Sequence, residues 1–171
     1  LFSRAGFYQA GGAYGFRDQL QDMLSLLYTD PQTVRGHLLL CAAHQFEEGD
    51  VQHWWHPPRH GVRTRISDDL LFLPFVTALY VQVTGDGGIL QVPVPYLKGE
   101  PLKENQHESM GEPDVSELAE PLLQHCLKAI EHVGFGPHGL PLMGGGDWND
   151  GMNAVGGENG ESVWLGMFYC E

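Results

Sequence analysis

Four stretches of the sequence gather side chains that could bind or transform a polar substrate. The sharpest is Gly144-Gly145-Gly146-Asp147-Trp148-Asn149-Asp150-Gly151-Met152-Asn153. Three glycines let the backbone approach a ligand closely, and two acids then flank a Trp and an Asn. A Trp beside a carboxyl group can stack on a sugar ring and dry the acid's surroundings, which raises its pKa toward what a general acid needs at neutral pH. The same oxygens could instead form a structural turn or a calcium loop, but the spacing does not match the D-x-[DN]-x-[DN]-G loop with its closing Glu. The second stretch, Gly11-Gly12-Ala13-Tyr14-Gly15-Phe16-Arg17-Asp18, is a glycine-rich entry to a helix. Arg17 could grip a phosphate or carboxylate in a bidentate fork, and Asp18 could accept two sugar hydroxyls. A surface Arg with an acid matched to the helix dipole explains the same residues without a ligand.

The third stretch runs from Asp50 to Pro58 and places His53, Trp54, Trp55 and His56 in succession. Aromatic platforms with polar neighbours suit the apolar face and hydroxyl rim of a sugar, and a plug tucked under a long loop is the alternative. His53 and His56 lack an evident third metal ligand, so no metal is expected. The fourth, Arg63-Thr64-Arg65-Ile66-Ser67-Asp68-Asp69, is either a polar rim around substrate or local ion pairing with Ser67 as a helix cap.

The elements that must position these residues read as helices. Leu20, Met23, Leu24 and Leu27 fall at i, i+3, i+4 and i+7 and predict a helix over about 16–28. Pro31 opens a second helix to about Phe46. A polar, aromatic loop is expected from Glu47 to Ile66, then a helix over about 70–83 that is apolar nearly all round and contains Pro74. Residues 84–113 have no helical period and predict an irregular excursion. Asp114-Val115-Ser116-Glu117 resembles a helix start, with the helix running to about Val133. The last helix begins near Val163. No strand ladder is evident, so the expected class is all-α, built from helix pairs joined by alternately short and long connections.

Composition narrows the function. The chain has 171 residues, of which 42% are hydrophobic and 11% aromatic, enough for a packed core. Nine Lys and Arg against 22 Asp and Glu leave a formal charge of −13, which argues against nucleic acid or an anionic membrane as partner. No apolar run approaches the ~20 residues that span a bilayer. Cys41, Cys126 and Cys170 are odd in number and far apart. Cys41 and Cys126 read as core packing, and a cytoplasmic, reducing setting, or the cytoplasmic side of a larger membrane-bound synthase, is expected. The chain starts without Met and stops within a predicted helix, so residues 1–171 are expected to be one partial domain, truncated at both ends, with a homodimer or the rest of a parent barrel covering its apolar helix faces.

The stretches Gly11–Asp22, Glu48–His56, Arg63–Asp69, Gly146–Asn153 and Gly160–Gly166 together resemble glycoside hydrolase family 94, formerly glycosyltransferase family 36. That family holds cellobiose and chitobiose phosphorylases and the phosphorylase-like region of cyclic β-1,2-glucan synthases. The Gly-Gly-Ala-Tyr-Gly-Phe form and the His-Trp-Trp-His loop are most similar to the β-1,2-glucan branch. The resemblance implies part of an (α/α)6 barrel and inverting phosphorolysis of a β-glucosidic bond to α-glucose 1-phosphate, with no cofactor beyond inorganic phosphate as co-substrate. It implies Asp150 as general acid, Trp148 at the donor sugar, Arg17 facing phosphate and Asp18 holding donor hydroxyls. His53 and Trp54 join these as expected substrate-binding residues. The disaccharide phosphorylases carry an Arg six residues before the Asp of their Arg-Asp pair; Gly12 stands there in this chain and points to a different glucan. Phosphate is already an anionic nucleophile, so a phosphorylase needs one acid, whereas an inverting hydrolase needs an acid and a base. The sequence offers one convincing acid, since Asp147 is too near along the chain to sit across a sugar from Asp150. A hydrolytic (α/α)6 glycosidase and a non-catalytic glucan-binding domain are the rival readings.

Overall fold

The computed structural model describes residues 12–152, 154, 155 and 157–171, so Gly11 and Asn153 of the motifs above lie outside the described residues. The expected all-α class is overturned: the protein mixes five α-helices with two antiparallel sheets among the described residues. Strand β1 (Tyr14–Gly15) leads into helix α1 (Phe16–Leu26), and α2 (Pro31–Ala42) follows after a short turn. The expected loop at 47–66 is instead a hairpin of β2 (Gln52–His56) and β3 (His60–Thr64). Helix α3 (Asp69–Thr84) comes next, then β4 (Pro93–Lys98), β5 (Glu108–Gly111) and β6 (Asp114–Pro121). Helix α4 (Leu122–Glu131) and the short α5 (Val163–Tyr169) complete the chain.

One sheet has the order β1-β2-β3-β5, and β4 pairs with β6 in the other. The second sheet corrects the reading of residues 114–121 as a helix start. Val115 and Leu118 fit a helical period only by coincidence; both are exposed, and the backbone there is held by β4, with Leu97 opposite Val115. The helix begins only after Pro121. His125 of α4 ties it to this sheet: its ring stacks on Tyr96 at 3.9 Å between centroids, and Nε2 donates to the Val94 carbonyl at 3.0 Å. Burial drives the His125 pKa down to about 4, so the imidazole is neutral.

The core lies where α1, α2, α3 and α4 meet. Phe16, Leu20, Met23, Val34, Leu38, Cys41, Val76 and Leu122 are fully enclosed, each large side chain contributing roughly 1.5–3 kcal/mol of apolar transfer. Local signals start and stop these helices. Asp30 accepts from the Thr33 amide ahead of Pro31, and Gly85 (φ 73°) closes α3 in the left-handed region with its N–H on the Val81 carbonyl. Ser67 does not cap α3. The residue before α3 is Asp68, and neither side chain bonds the first-turn amides as expected; both are taken up in tertiary contacts.

Candidate active site

The site forms where three segments far apart in sequence converge on one guanidinium. Arg17 sits in the first turn of α1 and is buried. Its Nη1 donates to both carboxylate oxygens of Asp68 at 3.2 and 3.1 Å and to the Asp147 carbonyl at 3.4 Å. Its Nη2 donates to both oxygens of Asp150 at 2.9 Å each. The neighbouring Asp18 folds back over Gly15, where any side chain would collide with its carboxylate.

Asp68 and Asp69 enter from the start of α3. Asp69 is almost completely enclosed; its Oδ2 accepts from His53 Nδ1 at 2.7 Å, and its Oδ1 has no hydrogen-bond partner. Four carboxylates (Asp18, Asp68, Asp69, Asp150) thus surround two cations. Burial works against the Arg17 charge, yet Asp68, Asp69 and Asp150 more than offset it and hold the guanidinium firmly protonated. Burial also works against a charged His53, but the Asp69 carboxylate and its hydrogen bond prevail and push the imidazole up to about 9. Burial raises Asp18 above the usual carboxylate range despite Arg17. Burial and the Asp69 charge do the same for Asp68. The cluster relieves its excess negative charge by making these two carboxylates easier to protonate.

The loop carrying Asp150 is sewn to the segment before α3. Gly145 N–H donates to the Arg65 carbonyl at 2.6 Å, and Ser67 N–H and Oγ both reach the Gly146 carbonyl, at 2.9 and 3.1 Å. Gly144 (φ 63°) must lack a side chain, because a Cβ would fall on the Arg65 carbonyl oxygen. The two acids of the loop then part. Asp147 is buried and structural, accepting from Ser162 Oγ at 2.7 Å and from the Asn149 amide at 2.9 Å. The Asp150 side chain is 49% exposed and turns to Arg17. Trp148 is 55% exposed, so it does not dry the Asp150 carboxyl as its sequence position suggested.

The hairpin divides its aromatic residues between two faces. Trp55 is buried and stacks on His44 at 3.7 Å, which makes it the plug. Trp54 and His53 instead line a cleft of about 270 Å³ together with Thr64, His107, Glu108 and Asp150. Gly61 permits the tight pairing, since a Cβ there would meet the Trp54 carbonyl and lie 2.7 Å from Trp55 Cβ. Arg63, the first of the two alternating arginines, is an internal clamp: Nε donates to Asp50 at 2.6 Å and Nη2 to Glu48 at 2.9 Å, with Phe46 under the guanidinium. Among the described residues, no group of three or more His, Cys, Asp or Glu is placed to hold a metal.

The geometry thus brings Arg17, Asp18, His53 and Asp150 together, sets Trp54 on the adjoining cleft and leaves Trp148 at the surface. Sequence reasoning missed Asp68 and Asp69 as partners of Arg17 and His53, because two acids before an apolar helix also suit its dipole. The available signal was two adjacent acids followed at once by Leu-Leu-Phe-Leu, which must be buried with them.

The family model for the glycosyl hydrolase 94 superfamily, catalytic domain, matches residues 1–171. The chain is 51% identical over 173 residues to the cyclic β-(1,2)-glucan synthase NdvB of Rhizobium meliloti, covering 98% of this chain and 6% of that protein. It is 31% identical to solabiose phosphorylase of Paenibacillus borealis, covering 90% of this chain and 18% of the relative. It is 27% identical to N,N'-diacetylchitobiose phosphorylase of Vibrio furnissii, covering 98% and 22%. The chain therefore spans less than a quarter of the length of these relatives. No helix among the described residues is long and apolar enough to cross a membrane. With the match running through every segment that builds the Arg17 cluster, the chain belongs to the glycosyl hydrolase 94 superfamily.

Proposed function

We propose that this chain supplies the general acid and the donor-sugar face of a β-glucan phosphorylase-like site, acting by inverting phosphorolysis to release α-glucose 1-phosphate. The observation that carries the reading is the half-exposed Asp150 carboxylate, held on both oxygens by buried Arg17 beside Asp18. Asp150 protonates the departing glycosidic oxygen, while phosphate attacks the anomeric carbon from the opposite side. Arg17, which the surrounding carboxylates hold protonated, supplies positive charge for phosphate. Asp18 accepts donor hydroxyls, Trp148 offers its exposed indole to the donor ring, and His53, fixed by Asp69, borders the same space. The higher identity to a β-1,2-glucan synthase than to the phosphorylases supports a β-1,2-linked glucan. Given the length of the relatives, the residues that complete the phosphate site lie outside these 171, and the isolated chain is expected to show no turnover.

The test is Asp150→Asn in the full-length parent, assayed for glucose 1-phosphate release from β-1,2-glucan with and without phosphate. A loss of about 10³-fold in kcat is expected. Wild-type turnover that ignores phosphate would select a hydrolase, and full activity in the variant would remove Asp150 as the acid.

A further inference from the structure

We infer that Ser162, at the start of α5, is a positioning residue for the acid: through Asp147 it fixes the turn that presents the Asp150 carboxyl to the glycosidic oxygen. This rests on the reading of Asp150 as the acid. It also gives a task to the Gly160–Gly166 stretch, to which neither Arg17 nor the carboxylates around it belong.

The acid turn has little of its own to hold it. It opens on three glycines, and Gly144 and Gly146 lie at positive φ (63° and 141°), so the chain ahead of Asp147 has no side chains to pack. The Asp150 side chain is half-exposed and bonds to Arg17. A general acid must stand within hydrogen-bond reach of the oxygen it protonates. Asp150 therefore takes its place from the backbone of its turn, and that backbone is fixed by Asp147. The Asp147 Oδ1 accepts from the Asn149 amide at 2.9 Å, which closes the turn locally. Its Oδ2 accepts from Ser162 Oγ at 2.7 Å. Both residues are buried, so water does not stand in for this bond. Ser162 Oγ also accepts from the Leu165 amide at 3.0 Å. The hydroxyl has one proton to give, and it goes to Asp147 while the oxygen caps α5.

Behind Ser162 the support is continuous. The Ser162 amide donates to the Pro141 carbonyl at 2.9 Å, and the Met143 amide to the Gly160 carbonyl at 2.7 Å, a short ladder at the foot of the loop. Leu165, in the first turn of α5, is fully enclosed and packs with Leu70, Leu71 and Val133. Leu70 and Leu71 directly follow Asp68 and Asp69 in sequence, and Asp68 holds Arg17. Two helices that share one apolar contact thus set the acid and the guanidinium beside it: α5 places Asp150 through Ser162 and Asp147, and α3 places Arg17 through Asp68. The Ser162 hydroxyl is the single buried side-chain link between α5 and the acid turn among the hydrogen bonds of the described residues.

The experiment measures glucose 1-phosphate release by the full-length parent. Ser162→Ala should lower kcat about 30-fold with the KM for glucan within about twofold, since a misplacement near 1 Å costs on the order of 10²-fold. Ser162→Thr keeps the hydroxyl and should recover kcat to within about threefold of wild type. Asp30→Ala removes the cap of α2 and should leave kcat unchanged, which controls for cap loss as such. In the Asp150→Asn background there is no acid to position, so Ser162→Ala should cost less than about threefold there. An equal loss in both backgrounds, an equal loss in Asp30→Ala, no recovery in Ser162→Thr, or a loss carried by KM would overturn the positioning role. Should Ser162→Ala not fold, Ser162→Gly keeps a tolerated helix start without the hydroxyl and is read in the same way. The same set separates the two levels of inference. A slow Asp150→Asn with wild-type kcat in Ser162→Ala removes the positioning role and leaves the acid; full activity in Asp150→Asn removes both.

Discussion

The His53–Asp69 contact makes stability fall as pH rises. Its Nδ1–Oδ2 distance is 2.7 Å, and the two side chains are 18% and 1% exposed, so solvent screens the pair poorly. Burial opposes the imidazolium, yet the carboxylate moves the His53 pKa from 6.5 to about 9. At about 1.4 kcal/mol per pH unit, that difference is worth roughly 3 kcal/mol. The sign follows from proton counts. Between pH 6.5 and 9 the native protein holds the His53 proton and the unfolded chain does not, so the contribution is complete below 6.5 and drains away up to 9. The perturbation is His53→Asn, which keeps a donor but cannot titrate. Urea unfolding of both proteins from pH 6 to 9.5 should show the stability gap narrowing by roughly 3 kcal/mol as pH rises. Parallel curves across that range would refute the reasoning, because they would mean that His53 is neutral in the native state.

Two further outcomes follow from the packing. Gly61→Ala pushes a methyl group into the Trp54 carbonyl and Trp55 Cβ; a loss of about 1–3 kcal/mol is expected in urea unfolding, and a neutral result would mean that the hairpin is looser than described. Cys41 and Cys126 are buried, and burial raises both thiols, Cys126 to about 11, whereas Cys170 is exposed. A thiol reagent at pH 8 should therefore label one cysteine in the native protein and three in urea, counted by mass spectrometry.

Much of this was legible in the sequence. The helices α1, α2 and α3 announce themselves by apolar period, by Pro31 at a first helical position and by an unbroken apolar run, because a helix is specified by residues three and four apart. The motifs containing Arg17, Asp18 and Asp150 held residue types able to bind sugar or phosphate, and it was their resemblance to a known family, taken together, that the family match bears out. The hairpin was not legible: Gln-His-Trp-Trp-His and His-Gly-Val-Arg-Thr show no alternation, and each strand exists through the backbone of its partner. The strand over 114–121 was misread for the same reason, since β4 lies about 20 residues away and leaves no local trace.

By itself, the sequence determined which elements form from neighbouring side chains and which residues have the chemistry to act. Tertiary structure decided that Arg17 meets Asp68 and Asp150 across 51 and 133 residues, that Asp147 is an anchor and that Trp55 is core while Trp54 faces a cleft. The physical reason is that charge pairing and the two faces of a sheet depend on where distant segments are brought together, and residue spacing along a chain carries no measure of that distance.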